Sequence, residues 1–140
     1  MAKKEVLFLC TGNSCRSQMA EGWLRHLGHE RFMALSAGTD PQGLNPLAVQ
    51  VMAEAGVDIS GQRSKSVDEF LGRDIDVLIT VCGEARESCP MFIGKVRERR
   101  HWPLPDPAKA QGAPSEVLVV FRRVRDDIRR RVEELLSEGD

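Results

Sequence analysis

Apolar residues fall in short blocks along this chain, and the blocks change period in a regular order. "EVLFL" (5–9), with its apolar run "VLFL", has the pattern of a strand buried on both faces. From Ser17 onward Met19, Ala20, Trp23, Leu24 and Leu27 recur at three and four residues, which predicts a helix closed by Gly28. "FMALSAG" (32–38) predicts a second strand. "NPLAVQVMAEAG" (45–56) predicts a helix with Asn45 as cap, a proline at the first helical position and a closing glycine. "VDEFLG" (67–72) reads as a short helical turn. "IDVLITVC" (75–82) is an apolar, β-branched strand ending in a cysteine, and "KVRERRHW" (95–102) is a weaker one. The proline-rich "PLPDPAKAQGAPS" (103–115) predicts a loop. Val117, Val120, Phe121, Val124, Ile128, Val132 and Leu135 then form the stripe of a long helix from Val117 to Leu136, whose arginine-rich opposite face reads as a solvated surface. Buried strands alternating with helices predict an α/β fold: a twisted parallel sheet of about four strands with helices on both faces. One domain over residues 1–140 is expected. Ligands of such sheets bind at the carboxyl ends of the strands, where Cys10 and Cys82 stand.

Composition narrows the classes. The chain has 140 residues, 41% hydrophobic and 29% charged, with a formal net charge of −1. A neutral balance speaks against nucleic acid as a partner. No apolar run has the length of a membrane span, and the stretch after Lys3 and Lys4 is too short for a signal-peptide core. A cytoplasmic monomer is expected. Four cysteines in that compartment are expected as thiols, so catalysis or metal binding is favoured over a disulfide framework. Zinc spacing is poor: Cys10 and Cys15 are marginal, and Cys82 and Cys89 are too far apart. His26, His29 and His101 stand in no ligand spacing.

The segment "CTGNSCRS" (10–17) joins the first strand to the first helix. Strand, short loop and helix start make an oxyanion-binding geometry, with loop N–H groups turned inward and the helix N-terminus adding partial positive charge. The loop residues Thr11, Gly12, Asn13, Ser14, Cys15, Arg16 and Ser17 are the expected substrate-binding set. Gly12 permits unusual backbone shapes and Asn13 tolerates the left-handed region. Arg16 offers a planar fork of donors to a tetrahedral oxyanion. Ser17 is expected to cap the helix and to donate to a thiolate at Cys10. Cys10, inside this positive cradle, is the expected nucleophile, and its pKa is expected to be depressed. Attack on an oxyanion needs a general acid for the departing oxygen. Asp106, stiffened by prolines on both sides, is the candidate.

"VLFLCTGNSCRSQMAEGW" together with "DPAK" resembles the low-molecular-weight protein tyrosine phosphatases, and more closely their relatives, the thioredoxin-coupled arsenate reductases. The resemblance runs over nearly the whole chain, including "LSAGTDPQGLNPLAVQVMAEAGVDIS" and "CGEARESCP". Two departures separate the chain from the phosphatases: Gln18 stands where they carry proline, and the chain has no tyrosine. Phosphate ester hydrolysis needs one thiolate, whereas arsenate reduction needs two electrons, which a pair of thiols supplies by forming a disulfide. The resemblance implies that Cys82 attacks the Cys10 adduct, that Cys89 then attacks Cys82, and that thioredoxin re-reduces the Cys82–Cys89 disulfide. It implies no cofactor. Cys15 has no necessary place in that relay.

If the segment between Cys82 and Cys89 is helical when reduced, seven residues span about 10.5 Å. A disulfide needs α-carbons within about 4.4–6.8 Å, so the segment is expected to unwind on oxidation, with Gly83 as hinge and Pro90 as its boundary. Some relatives bind potassium beside the loop through positions matching Asn13, Glu21 and Ser36. This chain carries Arg63 and Lys65 nearby, so a lysine ammonium is expected to replace the ion. A phosphatase acting on phosphotyrosine, and a redox or oxyanion sensor, are the other readings.

Overall fold

The computed structural model describes residues 3–82, 92 and 94–138. Strand β1 (Lys4–Cys10) is followed by helix α1 (Arg16–Gly28), strand β2 (Phe32–Gly38) and helix α2 (Pro46–Glu54). A 3-10 turn (Val67–Phe70), strands β3 (Ile75–Thr80) and β4 (Val96–His101), a second 3-10 turn (Pro107–Lys109) and helix α3 (Pro114–Ser137) complete the order. The strands form a four-stranded sheet in the order β2-β1-β3-β4, and every pairing is parallel. This is the α/β sheet that the apolar runs predict. The central strand β1 is the most apolar, with Val6, Leu7, Phe8 and Leu9 fully buried, as a strand flanked on both edges requires.

The pleat of the sheet separates two cores. Val6, Phe8, Val77 and Ile79 face one way, toward Met19 and Trp23 of α1, Val51 and Met52 of α2, and Phe121, Ile128 and Val132 of α3. Leu7, Leu9 and Leu78 face the other way and meet Phe70 and Phe92. Helices were expected on both faces; α1, α2 and α3 share the first, and among the described residues the helical cover of the second is the turn carrying Phe70. Each fully buried Leu, Ile or Phe contributes about 1.5–3 kcal/mol of transfer free energy.

Helix ends follow local chemistry. Asn45 accepts the Leu47 N–H at 2.8 Å, Pro46 opens α2, and Gly56 leaves it at φ +85°, a left-handed conformation that favours glycine. Helix α3 begins at Pro114, three residues before the first apolar position of its stripe, because a proline suits a first turn.

Candidate active site

β1 and β3 are neighbours in register, with Leu9 opposite Thr80. Cys10 therefore closes β1 one residue past that pair, and Cys82 follows β3 two residues past it. Both cysteines are buried. Cys89, with Gly83 and Pro90, lies outside the described residues.

The loop after Cys10 is held from outside by its own carbonyls. Thr11, Gly12 and Ser14 carbonyls accept the N–H groups of Asp40, Gln42 and Asn45 at 2.9, 2.9 and 3.1 Å. Ser64 also donates to the Gly12 carbonyl, at 3.2 Å. A peptide whose carbonyl is fixed outward turns the following N–H to the other side. The Asn13 N–H accordingly donates to Cys10 Sγ at 3.1 Å.

The residue in the left-handed region is Asn13, at φ +46°, and not Gly12. A Cβ at Gly12 would lie 3.3 Å from the Gln42 side chain, so that glycine serves close approach of the neighbouring loop. The Asn13 side chain is fixed by its partners. Its Oδ1 accepts the Lys65 N–H at 2.8 Å and a Gln18 amide at 3.0 Å, and its Nδ2 donates to Ser17 Oγ at 2.7 Å. The Ser17 hydroxyl proton is then directed to Cys10 Sγ, 2.9 Å away. Ser17 is thus a partner of the thiol and not a helix cap; α1 starts at Arg16 with no side-chain cap at Cys15.

The expected fall in the Cys10 pKa is not what this environment gives. Burial is the largest influence and pushes the thiol up, while Ser17, the Asn13 N–H and the Arg16 charge pull it down without offsetting it. The positive cradle is outweighed by the desolvation of a group 2% exposed. Cys15 is pushed up to about 12, mainly by burial, against a hydrogen bond from Ser14.

Arg16 is 4% exposed and donates to the Leu104 carbonyl at 3.0 Å, with a second nitrogen 3.6 Å from Asp106. Asp106 also accepts the Ala108 N–H at 3.0 Å, which caps the short turn after it. The candidate acid and the oxyanion fork are therefore held together although they lie far apart in sequence. A cleft of about 650 Å³ opens over Cys10 and the loop. Its other walls are residues 42–46 on one side and Asp106, Ala108 and Lys109 on the other. Trp102 lies under this region, 5.6 Å from Phe8 between ring centres, and stays in the core.

Behind the loop, Lys65 Nζ stands 3.4 Å from both Glu21 Oε1 and Ser36 Oγ and 2.9 Å from the Arg63 carbonyl. Ser36 donates to Glu21, and Arg25 pairs with its other oxygen. With Asn13 Oδ1 also engaged, this donor set does not fit a potassium ion: the ammonium already supplies the positive charge. Among the described residues no three of His, Cys, Asp and Glu converge on a metal position, and no helix is long and apolar enough to cross a membrane.

Sequence reasoning missed the wall at 42–46, the capture of Gln18 and the place of Lys109. Gln18 donates to the Asn13 and Arg63 carbonyls at 3.0 and 2.9 Å and accepts from Gln62, fastening the loop to residues 62–65. The departure from proline at this position was the available signal.

Residues 5–139 match the family model of the low molecular weight phosphotyrosine protein phosphatases. An arsenate reductase of Bacillus licheniformis is 50% identical over 141 residues, covering 100% of each chain. A solved structure of an arsenate reductase in a phosphate-binding state superposes with a TM-score of 0.80 at 37% identity, covering 98% of this chain and 99% of that one. A thioredoxin-dependent arsenate reductase of Corynebacterium glutamicum gives a TM-score of 0.69 at 28% identity, over 96% of this chain and 60% of that one.

Proposed function

Because the chain belongs to the low molecular weight phosphotyrosine protein phosphatase family, we propose that it turns that family's thiol chemistry to the reduction of arsenate to arsenite. The observation that carries the reading is a pair of buried cysteines, Cys10 and Cys82, beyond the carboxyl ends of two paired strands. Ester hydrolysis has no use for the second cysteine, whereas a two-electron reduction uses it to form a disulfide. The 50% identity to an arsenate reductase supports the same substrate.

Arsenate is held by Arg16 and the amides of residues 11–16. Cys10 sulfur attacks arsenic and an oxygen leaves as water, protonated by Asp106. A Cys10 thiol facing the dianion and a Cys10 thiolate facing the monoanion carry the same number of protons. The incoming dianion can therefore take the thiol proton, assisted by Ser17 and the Asn13 N–H. Cys82 then attacks the Cys10 sulfur. The sulfur–arsenic bond breaks and its electron pair stays on arsenic, which leaves as arsenite. Cys89 attacks Cys82 and frees Cys10, and a thioredoxin dithiol reduces the Cys82–Cys89 disulfide. A reducing cytoplasm suits these steps. Thioredoxin as donor is supported by the Corynebacterium glutamicum relative.

The test couples the protein to thioredoxin, thioredoxin reductase and NADPH with arsenate present. Wild-type protein is expected to consume NADPH over many cycles, and Cys89→Ser to stop after one. Absence of turnover, with aryl phosphate hydrolysis that survives Cys82→Ser, would make the cleft a phosphatase site instead.

A further inference from the structure

Among the described residues three charged side chains line the cleft: Arg16, Asp106 and Lys109. Arg16 and Asp106 face each other at 3.6 Å, and Arg16 is further tied to the Leu104 carbonyl. Both side chains are thus engaged by partners within the site. Lys109 is different. It closes the turn that Asp106 caps, and its backbone N–H donates to the Asp106 carbonyl at 3.2 Å, so its α-carbon is fixed relative to the acid. Its side chain is exposed, and among the described residues its ammonium has no hydrogen-bond or ion-pair partner. Among the described residues the unpartnered charge of the cleft therefore rests on Lys109. The chain as a whole carries −1, so its body offers a dianion no long-range attraction.

We infer that Lys109 captures the substrate: it draws the inorganic oxyanion into the cleft and distinguishes it from the product by charge. This rests on the arsenate-reducing reading of the site. Arsenate enters as an anion, whereas arsenous acid is uncharged at neutral pH, so the same ammonium holds the substrate and has no grip on the product. A lysine suits the task because its head is a strongly hydrated point charge on a flexible stem. It can meet an anion at the mouth and follow it inward, while the Arg16 fork supplies the fixed geometry at the bottom. Inorganic phosphate, of like shape and charge, is drawn in equally.

The test measures steady-state kinetics of Lys109→Ala, Lys109→Arg and Lys109→Glu across ionic strength, with titration of inorganic phosphate onto each protein. Lys109→Ala is expected to raise KM for arsenate and the phosphate dissociation constant by one common factor, roughly five-fold at low salt, with the change falling on KM and not on kcat. The factor should shrink toward one near 1 M salt, where the Debye length is about 3 Å. Lys109→Arg should recover most of the loss and Lys109→Glu should exceed it. Unchanged constants in Lys109→Ala, or equal losses in the alanine and arginine variants, would overturn the inference. The phosphate titration needs no turnover. Phosphate binding that follows the charge at 109 in a protein that fails to reduce arsenate would defeat the arsenate reading and leave the capture role standing. Normal turnover with constants blind to that charge would do the reverse.

Discussion

Cys10 and Cys15 lie five residues apart and are both buried, yet their surroundings divide them. Cys10 meets the Asn13 N–H and the Ser17 hydroxyl, whereas Cys15 meets only a weak donor at 3.6 Å, the Ser14 hydroxyl, and feels the negative charges of Asp106 and Cys10. The consequence is visible in stability. Both thiols have folded pKa values raised above 9.0, so the native chain keeps protons that the unfolded chain releases above that pH. Stability is therefore whole below pH 9.0 and falls as pH rises toward about 12, the Cys15 value. Cys15 contributes a slope of about 1.4 kcal/mol per pH unit in that window. Cys15→Ala should flatten the decline by about one such slope, read from urea unfolding at a series of alkaline pH values. An unchanged slope would mean that Cys15 titrates near its ordinary value.

At the scale of elements, the site depends on how closely β2 approaches the oxyanion loop. Gly38 ends β2, and a Cβ built there would stand 2.4 Å from the Thr11 carbonyl and 3.0 Å from the Asn13 nitrogen. Both neighbours are backbone and have no rotamer with which to yield. Gly38→Ala must displace the loop, and a misplacement of about 1 Å costs on the order of a hundred-fold in rate. Arsenate turnover and phosphate affinity are expected to fall together; wild-type values of both would refute this. The strands, the helices, Cys10, Arg16 and Asp106 were legible in the sequence because each rests on local period or on a short loop between two periodic runs. Other features come from contacts across many residues: Gly38 against Thr11, Gln42 against Gly12, Gln18 against Arg63. The spacing along the chain carries no trace of such contacts. The direction of the Cys10 pKa was misjudged for the same reason, since desolvation is set by whatever closes over a group from elsewhere in the chain.

For the molecule as a whole, the two apolar faces of the sheet are joined through the same strands, so they are expected to unfold together. Ile128→Ala on the helical face and Leu78→Ala on the other should each cost about 2–5 kcal/mol. Both should shift one shared transition, followed by far-UV circular dichroism and by the fluorescence of Trp23 and Trp102, which both lie in the helical core. Transitions that separate by probe would show that the faces melt independently. The tie from Arg16 to the Leu104 carbonyl, across 88 residues, also has a meaning in time. A chain is made from its amino end, so Cys10 and Arg16 exist long before the carbonyl and the acid that hold the guanidinium in place. Between Arg16 and Leu104 the chain must also set β4 at the sheet edge, a non-local pairing that comes slowly. The nascent protein thus carries Cys10 and Arg16 before the groups that fix the guanidinium exist. The cleft is therefore assembled only after β4 has docked and residues 104–109 have followed it.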